Sequence, residues 1–330
     1  MEAKYYDKLE NDKVECLLCP HKCLLSPDSV GLCRIRKNMS GLLHTSSDNY
    51  YSAIAVDPIE KKPLYHFFPG KKILSVGAFG CNMRCDWCQN CTISQQSDGR
   101  GEYHQPEDLI SLIKQDEQNI GIAYTYNEPL ISMENNLMLA AQINKAGLKN
   151  VLVTNGYVNK KPFEDILKYT HAVNLDVKSF NKENHKKYSS ANLDIILRNA
   201  EMIYKEGIHL ELTMLIVPEV SDNIDDFESF VKWIKDLDVE IPLHISRYFP
   251  RYNYHLNSTN EEVLRDFADL ANTYLSYVYT GNVSSNSYSN TYCPVCTNEI
   301  VSRTGYQTRV VGADRDGICT ECGKKVIINT

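Results

Sequence analysis

Short runs of β-branched and aliphatic residues alternate with longer stretches of helical periodicity between residues 72 and 280. The short runs predict strands, because each is rich in Val, Ile, Leu or Tyr and is bounded by polar or turn residues. There are six of them: KILSVGAF, IGIAYTY, NVLVTNG, AVNLDVK, LELTMLIV and IPLHIS. The longer stretches place apolar residues three and four positions apart, as in a helix that buries one face. They are NEPLISMENNLMLAAQINKAG, NLDIILRNAEMIYKEG, IDDFESFVKWIKDLDV and EEVLRDFADLANTYLSYV, and two of them are predicted to end at Gly147 and Gly207.

This alternation predicts an α/β fold built on a parallel sheet. A full barrel of the TIM type has eight strands, the pattern shows six, and no G-x-G-x-x-G motif opens the first helix as in a dinucleotide-binding sheet. We therefore expect a partial (β/α)6 TIM-like barrel over residues 51–282. In such a fold the chemistry lies in the loops after the carboxyl ends of the strands.

Two smaller segments flank the predicted barrel. Residues 1–50 are rich in turns and cysteine, and they are too few to build a core without a metal. A polar stretch, NVSSNSYSN, leads from the barrel into residues 283–330, where the next cysteines lie in YCPVC. We expect an N-terminal metal-binding module and a C-terminal module like a zinc ribbon or rubredoxin.

Composition narrows the function classes. The chain has 330 residues, of which 43% are hydrophobic, and its net charge is -7 at pH 7. No apolar run approaches the ~20 residues that span a bilayer, and the polar start MEAKYYDKLENDK does not resemble a secretory signal. We expect a cytoplasmic protein without a membrane partner. The acidic balance also argues against a nucleic-acid partner.

Twelve cysteines are unusual for a cytoplasmic chain of this length. They fall into three groups of four: Cys16, Cys19, Cys23 and Cys33; Cys81, Cys85, Cys88 and Cys91; and Cys293, Cys296, Cys319 and Cys322. Because no export signal is present, metal binding or redox chemistry explains them better than a disulfide framework.

The middle group follows the first predicted strand in GCNMRCDWCQNC, where C-x3-C-x2-C is formed by Cys81, Cys85 and Cys88. A four-iron cluster takes four thiolates, so three closely spaced cysteines leave one iron open to a substrate. A zinc knuckle or an electron-transfer cluster would instead use Cys91 as its fourth ligand, although the ferredoxin run has the different spacing C-x2-C-x2-C-x3-C-P. The position at the end of a strand favours an enzyme.

This motif, with Trp87 before its last cysteine, resembles the signature of the radical S-adenosylmethionine (SAM) superfamily. The resemblance implies a catalytic [4Fe–4S] cluster on Cys81, Cys85 and Cys88, with SAM on the open iron. An electron from the cluster cleaves SAM to a 5′-deoxyadenosyl radical, which abstracts hydrogen from a substrate. The resemblance thus implies an oxidoreductase, supplied with electrons by a protein such as flavodoxin or ferredoxin.

Later strand ends resemble the SAM-binding positions of the superfamily and of the pyruvate formate-lyase activating enzyme. YTYNEP stands where the superfamily has a G-G-E-like segment, and NLDVKSF contains a D-x-K pair like one that contacts the ribose and carboxylate of SAM. The histidine of IPLHIS matches one that ends the sixth strand near the adenine. The implied SAM contacts are Trp87, Tyr126, Asn127, Glu128, Thr154, Asn155, Asp176, Lys178 and His244.

A closer resemblance covers nearly the whole chain. DPIEKKPLYHFFPG, GCNMRCDWCQN, YTYNEP, TNGY, NLDVKSF and PLHISRYFP, in this order, resemble the AmmeMemoRadiSam-system radical SAM proteins. That resemblance implies Memo-like and AMME-type proteins as partners, but no particular substrate. Members of the family tend to have tryptophan where this chain has Cys91, which implies that Cys91 is not a ligand.

The outer cysteine groups predict two further metal sites. Two C-x2-C knuckles have the spacing of a tetrahedral four-sulfur site, and we expect structural zinc at Cys293, Cys296, Cys319 and Cys322. The N-terminal spacing fits zinc or a second iron–sulfur cluster, or else free thiols in a packed cap, at Cys16, Cys19, Cys23 and Cys33. Outside these groups, the candidates to line the approach to the barrel are Lys61, Lys62 and His66, with solvated lysines as the alternative.

We therefore expect an oxygen-sensitive radical SAM enzyme whose substrate the sequence does not identify. In one version the substrate is a glycyl residue of a partner protein, as for a glycyl-radical activase. In another it is a small molecule or a different residue. Two alternatives stay open: a non-catalytic iron–sulfur or zinc scaffold that recruits proteins, and a radical enzyme that modifies nucleic acid.

Overall fold

The computed structural model describes residues 1–95, 101–283 and 288–328. Its strands are β1 (Tyr6–Lys8), β2 (Val14–Cys16), β3 (Leu24–Leu25), β4 (Arg36–Met39), β5 (Leu42–Thr45), β6 (Tyr50–Tyr51), β7 (Ala53–Pro58), β8 (Lys72–Gly77), β9 (Glu102–Tyr103), β10 (Asn119–Tyr124), β11 (Lys149–Thr154), β12 (Ala172–Asp176), β13 (His209–Ile216), β14 (Leu243–Arg247), β15 (Val278–Gly281), β16 (Thr291–Tyr292), β17 (Glu299–Thr304) and β18 (Gln307–Val310). Its α-helices are α1 (Cys91–Ser94), α2 (Pro106–Lys114), α3 (Met133–Lys145), α4 (Lys160–Leu167), α5 (Lys182–Ser189), α6 (Leu193–Lys205), α7 (Ile224–Leu237) and α8 (Glu261–Asn272). Short 3-10 helices lie at Ile59–Lys61 and Pro129–Ser132.

One large sheet lies at the centre of the molecule. Within the described residues it has eight strands, in the order β15-β14-β13-β12-β11-β10-β8-β7. The strands β8 and β10 to β15 run parallel, and β7 pairs antiparallel with β8. The carboxyl ends of the parallel strands therefore meet at one end of the sheet, where the predicted site residues follow them.

All six predicted strands are present, as β8 and β10 to β14, but the expected count of six is wrong because both edge strands were missed. β7 has the short sequence AIAVDP and exposes Ala55 and Val56, whereas the central strands are buried on both faces. The last predicted helix runs to Val278, the first residue of β15, because Leu275 and Tyr277 continue the apolar pattern of α8 after that helix ends. The sheet has β15 and β7 as its edges, as a partial barrel requires.

The four predicted helices are confirmed as α3, α6, α7 and α8. Asparagine side chains begin three of them by accepting hydrogen bonds from the first helical turn, at Asn192, Asn223 and Asn260. Gly147 and Gly207 follow α3 and α6 with φ of +76° and +70°, as predicted for glycine after a helix. No helix in the described ranges is long and apolar enough to cross a bilayer.

Residues 1–50 pack on the carboxyl end of the parallel strands. The backbone N–H of Asn159, beyond β11, donates to the carbonyl of Leu18 at 3.0 Å. The Arg36 guanidinium pairs with both carboxylate oxygens of Glu134 at 2.6 Å, and both side chains are almost fully buried. Removing one member of such a buried pair typically costs ~3–5 kcal/mol, so this contact fixes the segment beside the strand ends.

The C-terminal segment packs at the opposite end. Residues 59–70 connect β7 to β8 beside the amino ends of the parallel strands, and the tail pairs with them. Ile328 N donates to His66 O at 2.7 Å, and Phe68 N donates to Ile328 O at 2.6 Å. The Arg303 guanidinium lies 4.2 Å from the ring centre of Tyr65. Residues 284–287 of the predicted linker lie outside the described residues.

The prediction that Lys62 and His66 line an approach to the barrel is wrong. Lys62 is 2% exposed and pairs with Asp57 at 2.7 Å, whereas Lys61 is half-exposed and pairs with the same carboxylate at 2.9 Å. His66 is 3% exposed and hydrogen-bonds through Nε2 to the hydroxyl of Tyr279 at 2.6 Å. His66 thus contacts the edge strand β15, and the Asp57–Lys62 pair lies beside Tyr126 of the loop after β10.

Candidate active site

The cysteine loop, residues 81–88, begins shortly after β8 at the carboxyl end of the sheet. The end of α5 and the segment after β14 fix it through backbone hydrogen bonds. Arg84 N donates to Ser189 O at 3.1 Å, and Asn253 N donates to Asp86 O at 2.9 Å. The loop is therefore held from two sides by backbone groups, which makes the positions of its thiols insensitive to side-chain motion on the surface.

The three predicted cluster ligands lie together on this loop. Cys85 is 8% exposed, and the other two thiol residues are half-buried. Burial raises the pKa of Cys85 to about 12 and that of Cys81 well above its ordinary value. Buried neighbouring thiolates need compensating positive charge, which a bound metal centre provides.

Asn127 holds the segment that leads into the first cysteine. Its Oδ1 accepts from Ala78 N at 3.0 Å. Its Nδ2 donates to the carbonyl oxygens of Phe79 and Gly80, each at 3.0 Å. Both the oxygen and the nitrogen of this amide are hydrogen-bonded to the backbone before Cys81. Asn127 therefore positions this segment.

Glu128 joins the ends of β10 and β11. Its Oε1 accepts from Thr154 Oγ1 at 2.7 Å and from Leu130 N at 2.9 Å, and its Oε2 accepts from Asn155 N at 2.8 Å. Burial raises the pKa of Glu128 to about 7, although these donors lower it. Asn155 in turn places its Nδ2 3.8 Å from Cys81 Sγ, so three predicted site residues form one chain of contacts to the first cysteine.

Asp176 is the last residue of β12 and Lys178 follows the strand; the two form an ion pair, with Nζ 2.5 Å from Oδ2. Burial opposes the ammonium, but Asp176 and the thiols of Cys85 and Cys88 hold the pKa of Lys178 above its ordinary value. The second carboxylate oxygen, Oδ1, is buried and has no hydrogen-bond partner among the described residues. An unsatisfied buried acceptor costs ~1–3 kcal/mol, so this oxygen is available to a ligand hydroxyl beside the cysteine loop.

Tyr126 extends toward β7. Its hydroxyl donates to Asp57 Oδ2 at 2.8 Å, and the ammonium of Lys62 lies 5.0 Å from its ring centre. Its φ of +69° is uncommon for a residue other than glycine. Burial alone would raise the pKa of Asp57, but hydrogen bonds from Lys62, Lys61 and Tyr126 lower it well below the ordinary range. Sequence reasoning missed this cluster, whose signal was a carboxylate followed by two lysines in DPIEKKP.

Trp87 is 3% exposed and packs against a tyrosine of α5 and a tyrosine of the segment between β14 and α8. Its ring centre lies 6.0 Å from that of Tyr254 and 6.3 Å from that of Tyr188. The indole thus anchors the second half of the cysteine loop. Cys91 begins the short helix α1 beyond the loop, and Ser94 of that helix lies 3.1 Å from Cys88 Sγ through its hydroxyl.

His244 lies apart from these residues. It was expected at the end of its strand, but it is the second residue of β14, so that placement is wrong. Its Nε2 hydrogen-bonds to Glu211 Oε2 at 2.6 Å, and Glu211 also accepts from the backbone N–H groups of Tyr65 and His66. In the described part of the chain, His244 makes no hydrogen bond to the cysteine loop. Sequence reasoning missed Glu211, although one carboxylate inside the apolar strand LELTMLIV is a signal of a buried partner.

The C-terminal cysteines form a compact four-sulfur cluster. The sulfurs of Cys293 and Cys322 are 3.4 Å apart, and those of Cys296 and Cys319 are 3.6 Å apart. Tetrahedral zinc, with Zn–S of ~2.3 Å, places its sulfurs roughly 3.8 Å apart, so the cluster fits one metal ion. Burial alone would raise the pKa of Cys319, but backbone N–H groups and the Asn298 amide hold it at about 6, which favours a thiolate ligand.

A sequence profile of the radical SAM superfamily matches residues 76–234, which contain the cysteine loop and the Glu128 and Asp176 sites. An uncharacterized protein of Methanocaldococcus jannaschii is 36% identical over 334 residues, and the match covers 99% of each chain. The chain belongs to the radical SAM superfamily. The pyruvate formate-lyase-activating enzyme of Clostridium pasteurianum is 25% identical to this radical SAM protein over 165 residues, 48% of this chain and 67% of that enzyme.

A solved structure supports the architecture. Streptococcus suis SuiB bound to S-adenosylmethionine superposes with a TM-score of 0.52 at 13% identity, over 66% of this chain and 51% of SuiB. At this identity the likeness shows the fold alone. It agrees with the parallel sheet described above.

Membership of the radical SAM superfamily implies a [4Fe–4S] cluster and SAM. The donor set of this chain fits both groups. Three thiols on one loop suit a cluster with one open iron. The unpartnered Oδ1 of Asp176 suits a hydroxyl donor such as the SAM ribose, and Lys178 beside it suits a carboxylate.

Proposed function

We propose that this protein is a radical SAM enzyme that cleaves SAM reductively and abstracts hydrogen from a substrate. The observation that supports the proposal is that the three-thiol loop lies beside the half-buried Asp176–Lys178 ion pair at the carboxyl end of the sheet. When bound, the cluster and SAM together supply a 5′-deoxyadenosyl radical. The chain itself binds, orients and shields these groups.

The residue roles follow from the contacts. Cys81, Cys85 and Cys88 hold the cluster. Asp176 Oδ1 accepts from the ribose, and Lys178 pairs with the SAM carboxylate. Tyr126, Thr154 and Asn155 lie at neighbouring strand ends and complete the wall of the SAM site.

Three of the predicted SAM contacts act indirectly in this proposal. Asn127 fixes the backbone before Cys81, and Glu128 locks the ends of β10 and β11 together. Trp87 anchors the cysteine loop through its packing on two tyrosines. His244 supports the barrel interior through Glu211 and is left without a SAM contact.

The substrate class we favour is a residue of a partner protein, as for a glycyl-radical activase. Support comes from similarity to proteins named as activating enzymes, including the one from Clostridium pasteurianum. A reductant protein such as flavodoxin or ferredoxin supplies the electron. Memo-like and AMME-type proteins are the partners that the AmmeMemoRadiSam resemblance suggests.

We also propose a division into three modules: 1–50, 51–282 and 283–330. The first packs beside the cysteine loop, and the last packs at the other end of the barrel through residues 59–70. The last module has a structural zinc site in this proposal, since its sulfurs have single-ion spacing and lie far from the cysteine loop in the fold.

The test is anaerobic reconstitution with iron and sulfide, followed by dithionite reduction with SAM and quantification of 5′-deoxyadenosine. The proposal expects product from wild type and from Cys91→Ala, and none above background from Cys88→Ala. A non-catalytic scaffold would give no product from any of the three, and its iron content would fall in Cys91→Ala. That outcome would overturn the proposed function.

A further inference from the structure

A second cavity lies beside the cysteine loop and is lined by the four N-terminal cysteines. All four of these residues border it: Cys16, Cys19, Cys23 and Cys33. Three of them are buried, and Cys23 is half-buried. The turns between β2 and β4 therefore bring every cysteine of the segment to one enclosed space.

The spacing of these thiols is too wide for a single tetrahedral ion. Within the described residues, the C-terminal cysteines are a group whose ligand atoms all lie within 4.8 Å of one another. The N-terminal cysteines do not meet this criterion, even as a set of three. The N-terminal thiols stand farther apart around their cavity. An iron–sulfur cluster inserts several irons and bridging sulfides between its cysteines, so it takes a wider ring of thiolates than zinc does.

The walls of the cavity suit a cluster rather than an open aqueous site. Beside the four cysteines, the lining includes the apolar side chains of Leu18, Leu32 and Ile131. Arg36 adds a buried positive charge that is fixed by Glu134 and by the carbonyl of Lys4, with Nη1 3.1 Å from that oxygen. A thiolate cluster is an anion, and a nearby guanidinium offsets part of its charge.

Backbone donors also point at the sulfurs. Three of the four receive a hydrogen bond from the N–H two residues farther along the chain: Cys16 from Leu18, Cys19 from His21 and Cys33 from Ile35. Such N–H···S bonds are among the groups that set the potential of iron–sulfur clusters. They give each of these three buried sulfurs a hydrogen-bond donor.

The segment that lines the cavity is in direct contact with the loop that holds Cys81. The carbonyl of Cys33 packs against Gly80, and His21 Nε2 hydrogen-bonds to Asn82 O at 2.7 Å. On its other side, Cys23 also borders an open cleft with Lys22 and Arg84. The site therefore has one edge toward solvent and one toward the cysteine loop.

We infer that the cavity formed by Cys16, Cys19, Cys23 and Cys33 binds an iron–sulfur cluster of its own, separate from the one proposed at Cys81, Cys85 and Cys88. The four thiols provide complete ligation, so no iron of this cluster is open to SAM. The sequence left zinc, a cluster and free thiols as alternatives, and the spacing and lining of the cavity favour the cluster.

The experiment measures iron, zinc and acid-labile sulfide per chain after anaerobic reconstitution. Wild type is expected to hold about eight sulfides and about one zinc, as two four-iron clusters and the C-terminal site require. The triple variant Cys81→Ser/Cys85→Ser/Cys88→Ser is expected to keep about four sulfides and an EPR signal on reduction. The variant Cys19→Ser/Cys33→Ser is also expected to keep about four sulfides, those of the cluster on the cysteine loop.

The sulfide content of the wild-type protein tests the inference even if a variant fails to fold. About four sulfides or fewer in wild type would overturn the inference, whether the N-terminal site held zinc or no metal. Cys91→Ser is the matched control, because it removes a cysteine of the middle group outside C-x3-C-x2-C, and its sulfide content should equal that of wild type. Because sulfide content does not depend on SAM cleavage, failure of this inference and failure of the proposed function are separate results.

Discussion

The carbonyl oxygen of Cys33 packs so closely on Gly80 that a β-carbon at position 80 would lie 2.2 Å from it. Gly80 immediately precedes the first cysteine of the cysteine loop, and its φ is +77°. One glycine thus brings the backbone of the N-terminal cysteine segment into contact with the proposed catalytic loop. The two cysteine groups form one structural unit, although Cys33 and Gly80 are 47 positions apart in the sequence.

Gly80→Ala is expected to disrupt this unit. Gly147→Ala is the matched control, because Gly147 has nearly the same φ, +76°, and a β-carbon added there would have nothing within 4 Å. The control should lower the free energy of unfolding by ~1 kcal/mol through backbone strain alone. Gly80→Ala should lower it by at least ~2 kcal/mol more, since a backbone carbonyl must move, and should reduce the iron content. Urea denaturation and iron assays measure both effects, and equal losses in the two variants would show that the Cys33 contact is unimportant.

Asn127→Asp should weaken retention of the cluster. The substitution keeps the acceptor for Ala78 N, but it replaces the donor to Phe79 O and Gly80 O by a second carboxylate oxygen. Loss of two hydrogen bonds costs ~2 kcal/mol before repulsion is counted, so the loop before Cys81 should loosen. The rate at which absorbance near ~400 nm falls in air reports cluster loss.

The control for this change is Asn272→Asp, whose amide donates to Ala268 O at the far end of α8. Its cluster should decay at the wild-type rate. Equal decay rates in Asn127→Asp and wild type would refute the positioning role of Asn127.

Asp176→Asn should weaken SAM binding about 10-fold, which corresponds to ~1.4 kcal/mol. The amide has nearly the same shape, but it weakens the pairing with Lys178 and removes one acceptor from a carboxylate whose Oδ1 is unpartnered among the described residues. Anaerobic equilibrium dialysis of the cluster-loaded protein measures the affinity. Asp194→Asn removes an exposed partner of Lys182 and should bind SAM like wild type. An unchanged affinity in Asp176→Asn would remove Asp176 from the SAM site.

The burial of His66 should make the folded protein less stable in acid. Burial lowers its pKa from 6.5 to about 3, so below about pH 6.5 the unfolded chain takes up a proton that the folded protein does not. The folded state is therefore fully favoured above the unfolded-state pKa of 6.5, and stability falls as the pH drops from about 6.5 toward about 3. Between about pH 7 and pH 5 the loss from this residue is ~2 kcal/mol.

The variant His66→Gln isolates this effect, because it keeps a donor for the carbonyl of Val326 and cannot titrate. Urea denaturation of both proteins at the two pH values gives the difference. Wild type should lose ~2 kcal/mol more than the variant over this interval. A parallel decline of the two proteins would mean that His66 does not enter the fold as a neutral imidazole.

Much of this architecture is readable from the sequence because its physical causes are local. β8 and β10 to β14 are apolar runs buried on both faces, and C-x3-C-x2-C places three thiols on one loop by spacing alone. The edge strands were missed because β7 is half-exposed and β15 continues the apolar pattern of α8. In each case the missing information is which face meets the core, and that depends on the tertiary fold.

In the candidate site, too, local features could be predicted and long-range contacts could not. Asp176 and Lys178 are two residues apart, so their pairing could be predicted from the chain. The partners of Asn127 and His244 could not be predicted in this way. In the sequence, an asparagine that holds a loop or a histidine that binds Glu211 looks the same as one that contacts a ligand. Long-range partners of polar residues are decided by strand register, which a pattern of apolar positions does not contain.

The most direct test of the central claim is electron–nuclear double resonance of the reduced protein with SAM labelled by 13C in its carboxylate. The account predicts a 13C coupling to the cluster in wild type, the same coupling in Cys91→Ala, and none in Cys88→Ala. A coupling arises only where SAM lies on an iron that lacks a cysteine ligand, so a fully ligated N-terminal cluster does not contribute. Absence of the coupling in wild type, with a cluster that requires Cys91, would contradict the account.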